Sequence, residues 1–262
     1  MRRILYGRRK GRPLRAGRKR LIEELLPLVA IPSVAIGNGR PLCQHDVDGP
    51  ALDPGTWFAG PAPISGGETP PPPSEIWLEV GFGAGEHLAA QAEAHPEIGF
   101  IGCEPFINGV AALLAQIDVR HLSNIRIFTD DARLLIDRLA CGTLGKVFIL
   151  FPDPWYKARH ARRRFIADDT LDALARVMSD GAELRVATDN MVFLRWALAA
   201  MIDHEAFDWC AEKAEDWRVR PPDQPATRYE EKALAKGVSS AFLVFRRRSR
   251  PASETGPLTQ NT

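Results

Sequence analysis

Asp153 is the residue most plainly set for chemistry. In Phe151-Pro152-Asp153-Pro154-Trp155 it stands between two prolines, whose fixed φ angles stiffen the chain and whose nitrogens donate no ladder bond. Tyr156 follows, and then a dense cationic run of Lys157, Arg159, His160, Arg162, Arg163 and Arg164. Before it, Val147–Phe151 is a continuous apolar run, as a strand covered on both faces requires. A stiff acid and a large ring at the carboxyl end of a buried strand sit where open α/β sheets bind ligands. The cations suit phosphate contacts, and Trp155 and Tyr156 suit stacking on, or walling in, an unpaired base. The plain alternative is a proline-rich turn with a solvated basic face and Trp155 as a core ring.

A second constellation lies upstream. Gly81, Gly83 and Gly85 follow a short apolar run and open a helical pattern, so the backbone can turn tightly and approach a ligand. The spacing is GxGxG rather than GxGxxG. Glu79 ends the first strand, Glu104 the second, where a carboxylate can take both hydroxyls of a ribose, and Asp131 the third, where an adenine amine can be met. A dinucleotide would bring its phosphates over the glycine turn, against Glu79. S-adenosylmethionine carries an ammonium and a sulfonium and no phosphate, so three acids in register suit it better. Each acid alone is what a solvated strand end carries; together with the glycine turn they point to a cofactor site. Asp189 ends the fifth strand at the same edge, and Thr227-Arg228-Tyr229-Glu230 is placed to fold over it, although a helix N-cap at Thr227 with Glu230 three residues on explains the same spacing.

Positioning these residues calls for alternating strands and helices. The pattern predicts strands over 76–80, 99–103, 125–128, 147–151 and 182–187. It predicts helices over 86–95, 107–119, 132–139, 167–178 and 192–204, which together mean βαβ units, a mostly parallel sheet and helices on both faces. Short strands at 207–210 and 241–246 form an antiparallel edge pair. Residues 1–20 read as a flexible basic arm, 21–29 as a short helix, and 32–75 as a mobile Pro/Gly-rich linker with polyproline character near its end. The reading is thus an arm and helix over 1–31, a linker over 32–75, a catalytic domain over 76–248, and a disordered tail over 249–262.

Composition narrows the class. At 262 residues, 45% hydrophobic and 26% charged, the chain suits one α/β domain with extensions. Its net charge of +1 hides local basic clusters in residues 1–20, at 157–164 and at 246–250, which suggest a polyanion met at one face. The four cysteines are scattered with no CxxC pair, so neither a metal site nor a disulfide framework is expected and a reducing cytoplasm is the default. No run approaches a membrane span.

These residues resemble the bacterial tRNA (guanine-N7)-methyltransferases, class I S-adenosylmethionine-dependent enzymes. The matching segments are Leu78–Gly83, Gly102–Phe106, Asp131-Ala132, Phe151–Trp155 with Lys157, Arg159 and His160, Ala187–Asp189 and Thr227–Glu230. The resemblance implies a Rossmann-like fold, methylation of guanine N7 in the tRNA variable loop, and tRNA as partner; separately, no metal and no membrane are expected from the sequence, which does not fix the oligomeric state, a monomer being one option. It implies that Glu79, Gly81, Gly83, Glu104, Asp131 and Asp153 bind the donor, Asp153 also being catalytic. Lys157, Asp189 and Thr227 to Glu230 would contact the guanosine, and Arg159, His160, Arg162, Arg163 and Arg164 the RNA. Two other readings compete: an exocyclic-amine nucleic-acid methyltransferase, and an RNA-binding module with a relic cofactor pocket. A nicotinamide dehydrogenase fits the glycine spacing and Glu79 least.

Overall fold

The computed structural model describes residues 7–31, 51–59 and 71–251. Seven strands, β1 (Glu75–Val80), β2 (Ile98–Cys103), β3 (Ile125–Phe128), β4 (Leu144–Leu150), β5 (Met178–Thr188), β6 (Phe207–Trp209) and β7 (Ala241–Arg247), form one sheet in the order β3-β2-β1-β4-β5-β7-β6. The first five are parallel; β7 runs antiparallel to both β5 and β6, so the two short C-terminal strands make the antiparallel edge, with β7 on the inner side. Strand order reverses between β1 and β4, and in open α/β sheets the crevice at the carboxyl ends of such a pair is where ligands bind.

Alternate residues of each strand enter opposite cores. Leu78, Ile101, Val147, Ile149, Leu184 and Phe245 pack on one face, and Trp77, Phe100, Phe148, Leu150, Ala187 and Phe242 on the other. Three helices, α5 (Ala132–Ile136), α6 (Asp168–Val177) and α7 (Met191–Ile202), cover the first face through residues such as Leu135, Leu171, Leu174 and Phe193. The second face is covered by α3 (Glu86–Ala94) and α4 (Ile107–Arg120), backed by α1 (Ala16–Glu24) and α2 (Leu26–Val29). The chain is therefore the three-layer α/β, Rossmann-like architecture expected, with α8 (Glu215–Arg218) and α9 (Arg228–Leu234) inserted before β7.

Three expectations need correction. First, residues 7–15 are docked, and the first helix starts at Ala16, not Leu21. The α4 N-terminus has no side-chain cap, and the extended arm serves it: Ile107 N donates to Arg9 O (3.0 Å), Gly11 N donates to Asn108 Oδ1 (2.9 Å), and Asn108 Nδ2 donates to Arg12 O (2.7 Å). Second, residues 51–59 are packed rather than linking. Leu52 exchanges backbone bonds with Arg138 and Ala140 (both 2.9 Å), Phe58 is buried, and Arg126 donates to Trp57 O (2.8 Å) with its guanidinium over the Phe58 ring. Third, the Arg246–Arg250 cluster is not a free polyanion patch. Arg247 donates to Ala175 O, and Arg250 to the carbonyls of Ala175, Arg176 and Met178 and to Asp180, so the two cations serve the carbonyl end of α6. Arg246 and Arg248 pair with Glu183 and Asp208. Residues 32–50 and 60–70 of the expected linker, the arm's first six residues and 252–262 lie outside the described residues, while the linker's last residue, Glu75, already opens β1.

The packed 51–59 segment predicts that Phe58→Ala lowers unfolding free energy by about 3 kcal/mol. Denaturant titration checks this; a change of less than about 0.5 kcal/mol would be that of a surface position.

Candidate active site

The β1–α3 turn is built on left-handed backbone: Gly81, Gly83 and Gly85 have φ of 72°, 58° and 77°. Gly83 is also the point of closest approach to α4, where a Cβ on Gly109 would lie 2.1 Å from the Gly83 carbonyl oxygen. Glu104 locks this junction. Its Oε2 accepts from Gly83 N (2.8 Å) and its Oε1 from Phe106 N (2.9 Å). Burial pushes the Glu104 carboxyl above its usual range; the two backbone N–H groups pull it down, and the charges of Asp153 and Glu79 add to the rise. Glu79, only 3% exposed, meets His87 Nδ1 at 2.7 Å. The imidazole in turn stands edge-on to Phe148 of β4.

Asp131 caps α5, and Arg133 grips both its oxygens, Nε at 2.9 and 3.1 Å and Nη2 at 2.6 Å. The carboxylate expected to meet an adenine amine is therefore turned toward α5 and its own ion pair.

The Pro-Asp-Pro loop carries strain at both ends. Phe151 and Trp155, neither a glycine, have φ of 50° and 44°, conformations that cost about 1–3 kcal/mol each. Specific bonds hold them: Phe151 N donates to Ala187 O (2.7 Å), while Arg164 Nε and Nη2 donate to Pro154 O and Trp155 O (3.0 and 3.2 Å). Arg164 is only 5% exposed and stacks on Trp196. The expectation that it contacts RNA is corrected: of the basic run, it is the residue that turns inward to clamp the loop. Arg163 lies over the Trp155 ring at 5.0 Å, and His160 meets that ring edge-on. Desolvation and the surrounding Arg163, Arg159, Lys157 and Arg162 charges hold the His160 imidazole below its usual pKa. Trp155 is half-buried at the cavity wall rather than in the core.

These groups line one cavity of about 650 Å³ at the carboxyl edge of β1, β2 and β4. It brings together Glu79, Gly81, Gly83, Glu104, Asp131 and Asp153, with Arg163, Thr227 and Tyr229 at its walls. Thr227 accepts from Glu230 N (3.2 Å), so the N-cap explanation of that spacing holds as well. Tyr229 stacks parallel to Phe151, while Arg228 turns to Glu86 and Glu230 to Arg220. Lys157, Asp189, Arg159, His160 and Arg162 stand off the cavity walls, Lys157, Asp189, Arg159 and Arg162 on exposed surface. Sequence reasoning missed His87, Arg133, Gly7 and Arg8, all of which line the cavity. Only the close acid–cation spacing of Asp131 and Arg133 offered any local signal. Among the described residues no group of His, Cys, Asp or Glu is arranged to hold a metal, and no helix is long and apolar enough to cross a membrane.

Residues 73–243 match a family model described as "Putative methyltransferase". Three curated relatives, each named tRNA (guanine-N(7)-)-methyltransferase, are similar over nearly the whole chain. The protein of Rhodospirillum rubrum is 47% identical, covering 97% of this chain and 91% of that one. That of Paramagnetospirillum magneticum is 44% identical (94% and 93%), and that of a Jannaschia species 42% identical (94% and 95%).

The raised Glu104 carboxyl fixes a sign. Its proton is held more tightly folded than unfolded, so its stabilising contribution is present below the unfolded carboxylate range and is lost as pH rises through the folded value. As pH rises from the ordinary carboxylate range upward, wild type should lose stability relative to Glu104→Gln. Denaturant unfolding of the pair checks this; a constant gap contradicts it.

Proposed function

The chain belongs to the tRNA (guanine-N(7)-)-methyltransferase family, and from that premise we propose that it transfers a methyl group from S-adenosylmethionine to N7 of a guanine in the variable loop of tRNA. The observation that carries this reading is the engagement of Gly83 N–H. At a helix N-terminus that group would cradle a phosphate, but here Glu104 Oε2 accepts it. The pocket thus repels a dinucleotide and suits a donor with ammonium and sulfonium charges and a ribose. Glu104 keeps lone pairs for the two ribose hydroxyls, Glu79 faces the cationic end, and the Asp131–Arg133 wall bounds the adenine side. Gly81 and Gly83 let the backbone approach. When bound, S-adenosylmethionine supplies an electrophilic methyl group on sulfur.

The chain's own residues then have a limited task. Guanine N7 carries a free lone pair at neutral pH, so no group need take a proton before attack. Holding the base in line with the methyl carbon can contribute about 7 kcal/mol or more. Trp155 and Tyr229 offer ring faces to a base, and Thr227 a hydroxyl. Asp153, clamped between prolines and strained ends, accepts from guanine N1–H and N2–H and faces the positive charge that develops on the ring. Lys157, Arg159, His160, Arg162 and Arg163 meet phosphates; Asp189 and the turn Thr227 to Glu230 border the guanosine. All these groups come from one chain, so a monomer suffices.

The function is tested by incubating the protein with labelled donor and total tRNA and digesting to nucleosides. N7-methylguanosine is expected; label on an exocyclic amine would favour the exocyclic-amine reading, and no label the binding module. Asp153→Asn should methylate about 100-fold more slowly with unchanged melting; wild-type turnover removes Asp153 from the mechanism. Charge removal at Lys157, Arg159 and Arg162 together should flatten the dependence of log K for tRNA on log salt by about 2 to 3. An unchanged slope would leave this patch an ordinary solvated face.

A further inference from the structure

Thr227 and Tyr229 reach the cavity on a segment with little core of its own. Val219 and Leu234, at either end, are 62% and 74% exposed. Within itself the segment is braced: Arg220 donates to Gln224 O (2.6 Å) and to Glu230 Oε1 (3.1 Å), and Thr227 caps α9. Its ties to the body converge on Asp223. Arg185, on β5 and only 7% exposed, donates Nη1 to Asp223 Oδ1 (2.9 Å) and Nη2 to Oδ2 (2.8 Å) in a fork. Gln91 of α3 donates to the Asp223 carbonyl (2.7 Å). Further ties among the described residues include a long exposed pair, Arg228 to Glu86 at 3.6 Å, the Tyr229–Phe151 stack, and the burial of Gln224 and Ala233.

Arg185 is itself preset: Glu183 accepts from its Nε and Nη2 (3.0 and 2.7 Å), and its guanidinium lies toward the Phe148 ring, which makes a T-shaped contact with His87, the partner of Glu79. A run of contacts therefore leads from Glu79 through the sheet to Asp223 and back to the cavity through Thr227. Buried His87 Nε2, Gln224 Nε2 and Glu230 Oε2 make no hydrogen bond among the described residues, so few polar bonds other than the fork secure this junction.

We propose that Arg185 and Asp223 are positioning residues for methyl transfer, a latch that seats the braced Arg220–Glu230 unit so that Thr227 and Tyr229 meet the target base. The inference rests on the proposed reaction at guanine. Because Asp223 is half-exposed and its carbonyl bond to Gln91 is main-chain, Asp223→Ala leaves the sheet intact. That variant should lose about tenfold in kcat/KM for tRNA, with donor Kd by calorimetry within about twofold and melting within a few degrees. Asp223→Glu, which keeps the fork's charge, should recover most of the loss. Wild-type kcat/KM in Asp223→Ala overturns the latch, as does a fall in donor affinity matching the fall in rate, which marks general loosening. A wild-type protein that forms no N7-methylguanosine instead defeats the proposed function, so the two failures are distinguishable.

Discussion

One buried carboxylate fixes the character of the site. Glu104 leaves the end of β2 and takes a backbone N–H from the glycine turn after β1 and another from the start of α4. That arrangement needs Gly83 in a left-handed conformation, and it needs Gly109, since any Cβ there would strike the Gly83 carbonyl. Two strand ends and a helix start are thereby held in one geometry. The same bonds engage, with an acid, an N–H that would otherwise be open to a phosphate. Burial raises the energy of that ionised acid, a cost the two backbone N–H groups offset in part.

Across the cavity the Pro-Asp-Pro loop solves a different problem. Exposed loops ordinarily move, yet this one carries an exposed carboxylate, Asp153, on a constrained backbone. Prolines remove two φ freedoms, but the loop also passes through two left-handed non-glycine residues. The strain is held by Arg164, whose guanidinium sits between loop carbonyls and the Trp196 ring, and by the bond from Phe151 to β5. The third wall, carrying Thr227 and Tyr229, is seated by a polar fork rather than a core. Backbone bonds and core packing thus hold the Glu104 side of the cavity, while side-chain bonds to a partly exposed segment hold the Thr227 side.

Local pattern made much of this legible. The strand runs, the acids at successive strand ends and the glycine turn are short-range signals, and the parallel sheet follows from strand and helix alternation. What stayed hidden depends on partners far away in the chain. Arg162, Arg163 and Arg164 are identical in sequence terms; only the turn of the loop sends Arg164 inward. The basic arm carries no local pattern that distinguishes a free chain from a docked one, yet an extended chain is what caps α4 through Arg9 O. Phe58 lies in a Pro/Gly-rich stretch, and nothing local shows that Arg126 and the first core receive it. His87 and Glu79 are joined across the glycine turn, which no helical or strand period links.

The central claim is that Glu104 and the glycine turn select a phosphate-free sulfonium donor and aim it at Asp153. A crystal structure of the protein with S-adenosylmethionine tests it most directly. The account predicts both ribose hydroxyls on the Glu104 carboxylate, the Gly83 N–H still bonded to Glu104, and the methyl group facing the Asp153–Trp155 wall. A donor bound elsewhere, or one whose methyl faces away from Asp153, would contradict it.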